Sequence, residues 1–382
     1  MRKIQIIIVL LCLTMLSCHQ AKVADNGPEG DTVEMRYAEN ICIVRYDDYT
    51  KVELANPWKK GAILHTYFLI EKETSALLPI EGESEGACSI IHVPLTHSAV
   101  YSGVHGSIID ELGAADRIRA VCEVEYFTNE HILQAYREGK IANLGNSLAP
   151  DIEMLIDIHP DAILLSPFEN SGGYGLIETT DIPIVECADY METSPLGRAE
   201  WMKFYGLLYG KAEEADSLFH EVETAYNDLK ASVGQLADSK GAPRVICDLI
   251  TGSTWYVPGG NSTSGRLIAD AGGNYIFRNR SESGSLALAP ETVFEESQDA
   301  DVWFMKYTNG VTDMTYEELA KESPLYAQMK AFKERHVYGC NLSYVHFYND
   351  LPFHPERHLK DMIRMFHPDL LPDYQLKYYK PL

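Results

Sequence analysis

Between Lys211 and Gln235 apolar residues recur at Ala215, Leu218, Phe219, Val222, Ala225, Tyr226, Leu229 and Val233, the i, i+3, i+4 spacing of one helix face. Glu213, Glu214 and Asp216 crowd the first turns, where negative charge suits the helix dipole, and Gly234 and Gly241 lie at or beyond the end. At ~1.5 Å per residue this helix reaches roughly 37 Å, about the width of a small domain. Gly210 separates it from a second helical stretch, 196–209.

On both sides of this helix the pattern alternates between strand and helix. Before it, strands are predicted at 89–93, 117–122, 162–165 and 182–187, with helices at 105–112, 129–138 and 151–158, and Asn129 as an N-cap. Residues 94–103 read as a loop. After it, strands are predicted at 244–249, 254–257, 301–306 and 337–340, and helices at 264–271, 291–296, 323–334 and 355–366. Such alternation implies mostly parallel sheets with covered faces. The two halves also share a unit. Leu148-Ala149-Pro150-Asp151-Ile152-Glu153 leads through a short helix to Asp161-Ala162 and a strand; Leu288-Ala289-Pro290-Glu291 leads likewise to Asp299-Ala300 and a strand. The fold class is therefore α/β: two lobes with mostly parallel sheets joined by a long rigid helix. A short N-terminal β extension precedes them, because 36–72 reads as hairpin material. The expected division is 1–17 signal peptide, 18–35 tether, 36–88 β extension, 89–194 N-lobe, 195–240 linking helices and 241–382 C-lobe.

Composition changes this picture at the N-terminus. Arg2 and Lys3 precede an apolar run, 4–16, that is too short for a membrane span and has the form of a secretory signal. Met15-Leu16-Ser17-Cys18 resembles a bacterial lipobox, which makes Cys18 the expected lipidation site, with the protein held at the cell envelope and facing the periplasm or exterior. The net charge of −24 argues against nucleic acid as a partner. No C-x-x-C occurs, and several Cys sit in apolar strand-like runs, so buried free thiols are expected rather than a disulfide framework.

Several marks then occur in order: Ile108-Ile109-Asp110-Glu111-Leu112-Gly113-Ala114 followed by Asp116-Arg117-Ile118, Asn143-Leu144-Gly145, Glu153 with His159-Pro160-Asp161-Ala162-Ile163, the central helix, and Gly272-Gly273-Asn274. In this order they resemble the class III, helical-backbone substrate-binding proteins of ABC importers, over roughly 89–371. The extension at 36–88 departs from that pattern. The resemblance implies capture of a ferric siderophore, haem or cobalamin in an inter-lobe cleft and delivery to an ABC permease with its ATPase, by a monomer without an intrinsic cofactor. It also implies that Glu153 and Glu291 dock onto the permease, where exposed charges steer and set register. A stiff linking helix implies a small change between apo and bound forms.

In such a fold ligands sit beyond the C-terminal ends of the strands. The candidate lining is Tyr101, His105, Phe127, Ser166, Phe168, Glu169 and Asn170 on the first lobe, and Trp255, Tyr256, Tyr307, Phe347 and Tyr348 on the second. Their aromatic faces suit a large, partly apolar chelate. Basic residues are scarce there, with Arg198, Arg266, Arg278 and Arg280 nearest, which leans toward cobalamin, haem or a neutral siderophore. Two rival readings stand beside this one. A bare zinc or manganese carrier needs three or four converging ligands, and the thirteen His are scattered. A periplasmic enzyme would show chemistry, but no H-E-x-x-H or P-loop occurs, and the one G-x-S-x-G, at 82–86, sits in a run that reads as a solvated acidic loop.

Overall fold

The computed structural model describes residues 30–72, 87–169, 173–234 and 241–382. The signal, Cys18, Asn170 and the acidic run at 81–86 lie outside the described residues.

The chain begins with a five-stranded sheet in the order β1 (Asp31–Thr32), β2 (Ile41–Arg45), β3 (Thr50–Ala55), β4 (Ile63–Glu71) and β5 (Ala87–Val93). Its pairs are antiparallel except β4 with β5, which run parallel. Alternation sets its inner face. Ile41, Ile43, Val52, Leu54, Tyr67, Leu69 and Ile91 all enter the main core. Residues 89–93 therefore belong to this sheet and do not open the N-lobe. The N-lobe sheet begins at β6 (Ser98–Val100), inside the stretch expected to be a loop.

The N-lobe continues with α1 (Gly103–Glu111), β7 (Ile118–Val121), α2 (Glu130–Arg137), β8 (Ala142–Asn143), α3 (Ile152–Ile158), β9 (Ala162–Leu165) and β10 (Ile184–Glu186). Its strands are all parallel, in the order β10-β9-β6-β7-β8. Odd and even strand residues part company. Val100, Val121, Leu164 and Val185 join the main core, whereas Ala99, Tyr101, Ala120, Cys122, Ile163 and Leu165 form a second core with Leu155 and Ile177. Asn129 does not cap α2 through its side chain. It bonds Ser107 and Asp110 instead, tying α2 to α1.

Three helices link the lobes: α4 (Pro195–Glu200), α5 (Met202–Tyr209) and the 23-residue α6 (Ala212–Gly234). The buried face of α6 carries Ala215, Phe219, Val222, Tyr226 and Val233, as its spacing predicts.

The C-lobe comprises β11 (Arg244–Cys247), β12 (Ile250–Thr251), β13 (Thr254–Pro258), α7 (Thr263–Asp270), β14 (Asn274–Tyr275), β15 (Ser285–Leu288), α8 (Pro290–Ser297), β16 (Val302–Tyr307), α9 (Tyr316–Glu322), α10 (Lys330–Lys333), β17 (Val337–Asn341), α11 (Phe347–Asp350), α12 (Pro355–Phe366) and β18 (Lys380–Pro381). Its main sheet runs β14-β11-β16-β17-β18, parallel but for the last strand, and β12-β13-β15 form a small antiparallel sheet. The helix expected at 323–334 is not continuous. The long element there is α9, opened by a Thr315–Glu318 capping box and ended at Ser323 before Pro324. The antiparallel return of 254–257 across Gly252-Ser253 and the bounds of α12 agree with the sequence pattern.

The N-terminal sheet is fastened by buried carboxylates. Glu200 accepts the backbone N–H groups of Arg36, Tyr37 and Ala38 at 3.0, 2.8 and 3.0 Å. Glu192 accepts those of Glu39 and Asn40, and Glu223 takes the Arg36 guanidinium and the Tyr37 hydroxyl. Farther along, Tyr67 Oη accepts the Glu186 N–H at 2.9 Å, joining the extension to the N-lobe.

Candidate ligand-binding site

A cavity of about 790 Å³ opens at the C-terminal ends of the N-lobe strands. Strand alternation supplies its floor: Tyr101, Cys122 and Leu165 end or follow β6, β7 and β9 on the face that packs α3. The walls come from loops. Ser102 caps α1 by accepting the Val104 N–H at 3.2 Å, which brings Gly103 and Val104 to the rim. The turn after β7 supplies Glu123 and Tyr126, the approach to α3 supplies Leu148 and Ile152, and the loop after β9 supplies Ser166, Phe168, Tyr174 and Leu176. Tyr174 is held from both ends. Its N–H donates to Glu178 at 2.7 Å and its hydroxyl to Glu186 at 2.6 Å. Gly173, at φ 102°, makes the turn before it, and a Cβ there would stand 2.7 Å from Glu178 Oε1.

The wall is apolar and aromatic. Tyr126, Phe168, Leu148 and Leu176 are 65%, 48%, 80% and 68% exposed, so they offer surface to a guest rather than to the core. The Tyr101 hydroxyl is buried without a hydrogen-bond partner among the described residues, and burial pushes its pKa upward. Burial also pushes the neighbouring Cys122 thiol up to about 12. Both groups stay protonated and neutral. Among the described residues, Glu123 is the one charged side chain of the lining.

The C-lobe reaches this cavity through Asn349. Its amide donates to the Tyr126 carbonyl and to Thr128 Oγ1, both at 3.1 Å. Gly103 sits at the same crossing, where a Cβ would lie 2.6 Å from the Tyr126 carbonyl oxygen and 3.4 Å from Asn349 Nδ2. A second inter-lobe bridge joins His354 Nε2 to Glu111 at 2.7 Å, with Glu356 on Nδ1 at 3.0 Å. Burial opposes charge on His354, but the two carboxylates prevail and raise its pKa to about 9.

The structure separates the sequence candidates. Tyr101, Ser166 and Phe168 line the cavity; Glu169 is exposed beside it. His105 does not reach it. It is buried, its Nε2 is 3.2 Å from Asp189 Oδ1, and it stacks on Tyr205. Burial opposes its charge, yet Cys187 and the bond to Asp189 raise its pKa to about 10. Phe127 is buried beneath α1, against Gly106. Trp255 is also a core residue. It packs with Trp303 and Tyr326 and donates from Nε1 to the Cys247 carbonyl at 3.3 Å. Tyr307 is buried, accepting the Met314 N–H, and Phe347 packs against His358, Tyr378 and Tyr379. Tyr256 and Tyr348 are exposed C-lobe residues outside the lining. Arg198 is engaged with Asp189. The basic group missed in sequence is Lys306, at the end of β16, which is neutralised by Asp248 at 2.7 Å.

Glu153 and Glu291 are exposed in the first turns of α3 and α8. All six cysteines among the described residues are free; Cys122, Cys187, Cys247 and Cys340 are buried as expected, but Cys42 and Cys88 are exposed on the N-terminal sheet. No described helix is long and apolar enough to cross a membrane.

The chain is 27% identical over 340 residues to an uncharacterised lipoprotein of Methanocaldococcus jannaschii, covering 83% of this chain and 79% of that one. Its fold is similar to that of a possible iron-binding, periplasmic solute-binding protein of Staphylococcus epidermidis, with a TM-score of 0.56, 15% identity, and coverage of 72% of this chain and 99% of that one. A periplasmic haem-binding protein of Vibrio cholerae gives 0.56 at 14% identity, with 72% and 99% covered. The molybdate periplasmic binding protein of Haemophilus influenzae gives 0.56 at 15% identity, with 75% and 90% covered. The periplasmic binding protein family matches residues 99–343, from the first N-lobe strand onward, which leaves the N-terminal sheet outside the match. With two α/β lobes joined by α4–α6 and a cavity at the N-lobe strand ends, the chain belongs to the periplasmic binding protein family, whose members are the solute-binding proteins of ABC transporters.

Proposed function

We propose that this protein captures a metal chelate (a ferric siderophore, haem or cobalamin) in the cavity at the ends of its N-lobe strands, which the C-lobe reaches through Asn349, and delivers it to an ABC permease. In this reading it is tethered to the cell envelope through a lipid on Cys18. The observation that carries this reading is the cavity wall. About 790 Å³ of space lined by Tyr101, Tyr126, Phe168 and Tyr174 fits a bulky, partly apolar guest. The fold relatives are named for iron, haem and molybdate, so the wall must decide among them. A small oxyanion such as molybdate calls for cations or an array of donors, and no cation lines the described wall. A bare divalent metal finds no site either, since no group of three or more His, Cys, Asp or Glu able to hold an ion occurs among the described residues. Glu153 and Glu291, exposed on equivalent helices of the two lobes, serve as the permease contacts.

Isothermal titration of the protein with cyanocobalamin, hemin and a ferric trihydroxamate tests the proposal. One of the three binds one to one, and Phe168→Ala or Tyr126→Ala weakens it about tenfold, in keeping with lost aromatic contact area. No saturable binding by any of them would sink the chelate reading.

A further inference from the structure

Glu123 stands out among the cavity residues. It is a non-glycine residue in the left-handed region, at φ 49° and ψ 56°, two positions beyond the end of β7. Such a conformation is costly for a side chain with a Cβ and tends to persist where a site requires it. Its backbone N–H is fixed by the Gly145 carbonyl at 2.8 Å. Among the described residues its carboxylate is held by neutral donors only: Asn146 Nδ2 to Oε1 at 3.2 Å and Ser147 Oγ to Oε2 at 3.0 Å. These bonds orient the group without neutralising it, and each oxygen keeps a free lone pair. No cation shares the described wall. On the C-lobe, Lys306 is already matched by Asp248. The whole chain carries −24, so the long-range field also favours positive ligands.

We propose that Glu123 reads the charge of the ligand: the cavity accepts a metal chelate bearing a cationic, amine-type arm and rejects one bearing a carboxylate. The proposal rests on the chelate reading of the cavity. The ammonium or N–H group of the arm donates to the free lone pairs of Glu123, while the aromatic wall covers the body of the chelate. The buried Tyr101 hydroxyl, a donor without an acceptor among the described residues, is available to a chelate oxygen.

Ferrioxamine B, an iron(III) trihydroxamate with a free terminal ammonium, is a suitable probe. Its N-acetyl and N-succinyl derivatives place zero and one negative charge on the same arm without altering the metal core. The full chain, its Glu123→Gln variant and its Glu123→Lys variant are titrated with all three, and thermal unfolding confirms that each variant is folded. The native protein should bind the ammonium form about tenfold tighter than the acetyl form, and the succinyl form weakest. Glu123→Gln should level the series and Glu123→Lys should invert it. A flat series in the native protein, or an order that survives Glu123→Gln, overturns the proposal. Failure of all three probes to bind overturns it too, whereas binding of cyanocobalamin or hemin would leave the chelate reading standing.

Discussion

Removing the Glu200 carboxylate tests how the N-terminal sheet is attached. Glu200 is fully buried at the end of α4. Oε2 accepts the N–H groups of Tyr37 and Ala38, and Oε1 accepts the N–H of Arg36 and the Lys203 ammonium at 3.0 Å. Three successive amides converging on one carboxylate form a small anion-binding nest. In Glu200→Ala the amides lose their acceptor; that of Ala38 is buried, while those of Arg36 and Tyr37 retain partial access to water. A buried donor left unsatisfied costs about 1–3 kcal/mol, and deleting one partner of a buried pair costs about 3–5 kcal/mol. A total of about 3–5 kcal/mol follows. At about 2.1 cal/mol/K of unfolding entropy per residue, that lowers Tm by roughly 4–6 °C for a chain of this size.

The isosteric Glu200→Gln separates geometry from charge. Whichever way its amide turns, the NH₂ group faces two of the donors that the carboxylate oxygens accept, so it should lose about half as much stability as Glu200→Ala. Hydrogen exchange gives the local readout: the amides of residues 36–38 lose protection in both variants. Lys140→Ala, which breaks the exposed pair with Glu138 beyond the end of α2, serves as the control and leaves Tm within 1 °C of the native value. The reasoning is refuted if Glu200→Ala melts within 1 °C of the native protein, or if exchange at 36–38 is unaltered.

Two further outcomes concern the inter-lobe contacts. His354 has a folded pKa near 9, above its ordinary value, so its bridge to Glu111 contributes fully below about pH 6.5 and is lost as pH rises through 9. The Tm gap between the native protein and His354→Gln should therefore be largest near pH 6 and close by pH 10; His105 titrates near pH 10 in both proteins and cancels, and a constant gap would count against the bridge. Gly103→Ala puts a Cβ 2.6 Å from the Tyr126 carbonyl, which displaces the turn that carries Tyr126 and Glu123 and accepts the Asn349 amide; chelate affinity measured by titration should fall at least about tenfold, and an unchanged affinity would remove this turn from the site.

Long periodic elements and repeated units were legible in the sequence, and short buried ones were not. The spacing of Phe219, Val222 and Tyr226 identified α6, and Pro355 with Pro368 framed α12. The paired motifs at Glu153 and Glu291 correspond to the helix–strand units α3–β9 and α8–β16. The central N-lobe strand escaped because β6 has three residues, Ser98, Ala99 and Val100, too few to show a period and bordered by polar His97. The neighbouring run at 89–93 has a clearer strand pattern but pairs with β4, and pairing partners depend on register between distant strands, which local pattern does not encode.

For the site, the decisive information lay in strand alternation carried to the last residue. In β13 the order Thr254, Trp255, Tyr256, Val257 alternates, so Trp255 and Val257 turn inward to Trp303 and the core while Tyr256 turns outward. Grouping aromatics by loop merged residues that the pleat sends to opposite faces. The same rule applied to the N-lobe picks out the true floor: Tyr101, Cys122 and Leu165 share one face at the ends of three neighbouring strands, and the residue after Cys122 is Glu123. A carboxylate immediately beyond an apolar strand of a parallel sheet stands where ligands of this architecture bind, so its sign was available as a signal of ligand charge. What no local pattern could supply is its isolation. That depends on Asp248 having already neutralised Lys306 on the other lobe, a pairing that exists only after residues 58 positions apart in sequence are brought to the ends of adjacent strands.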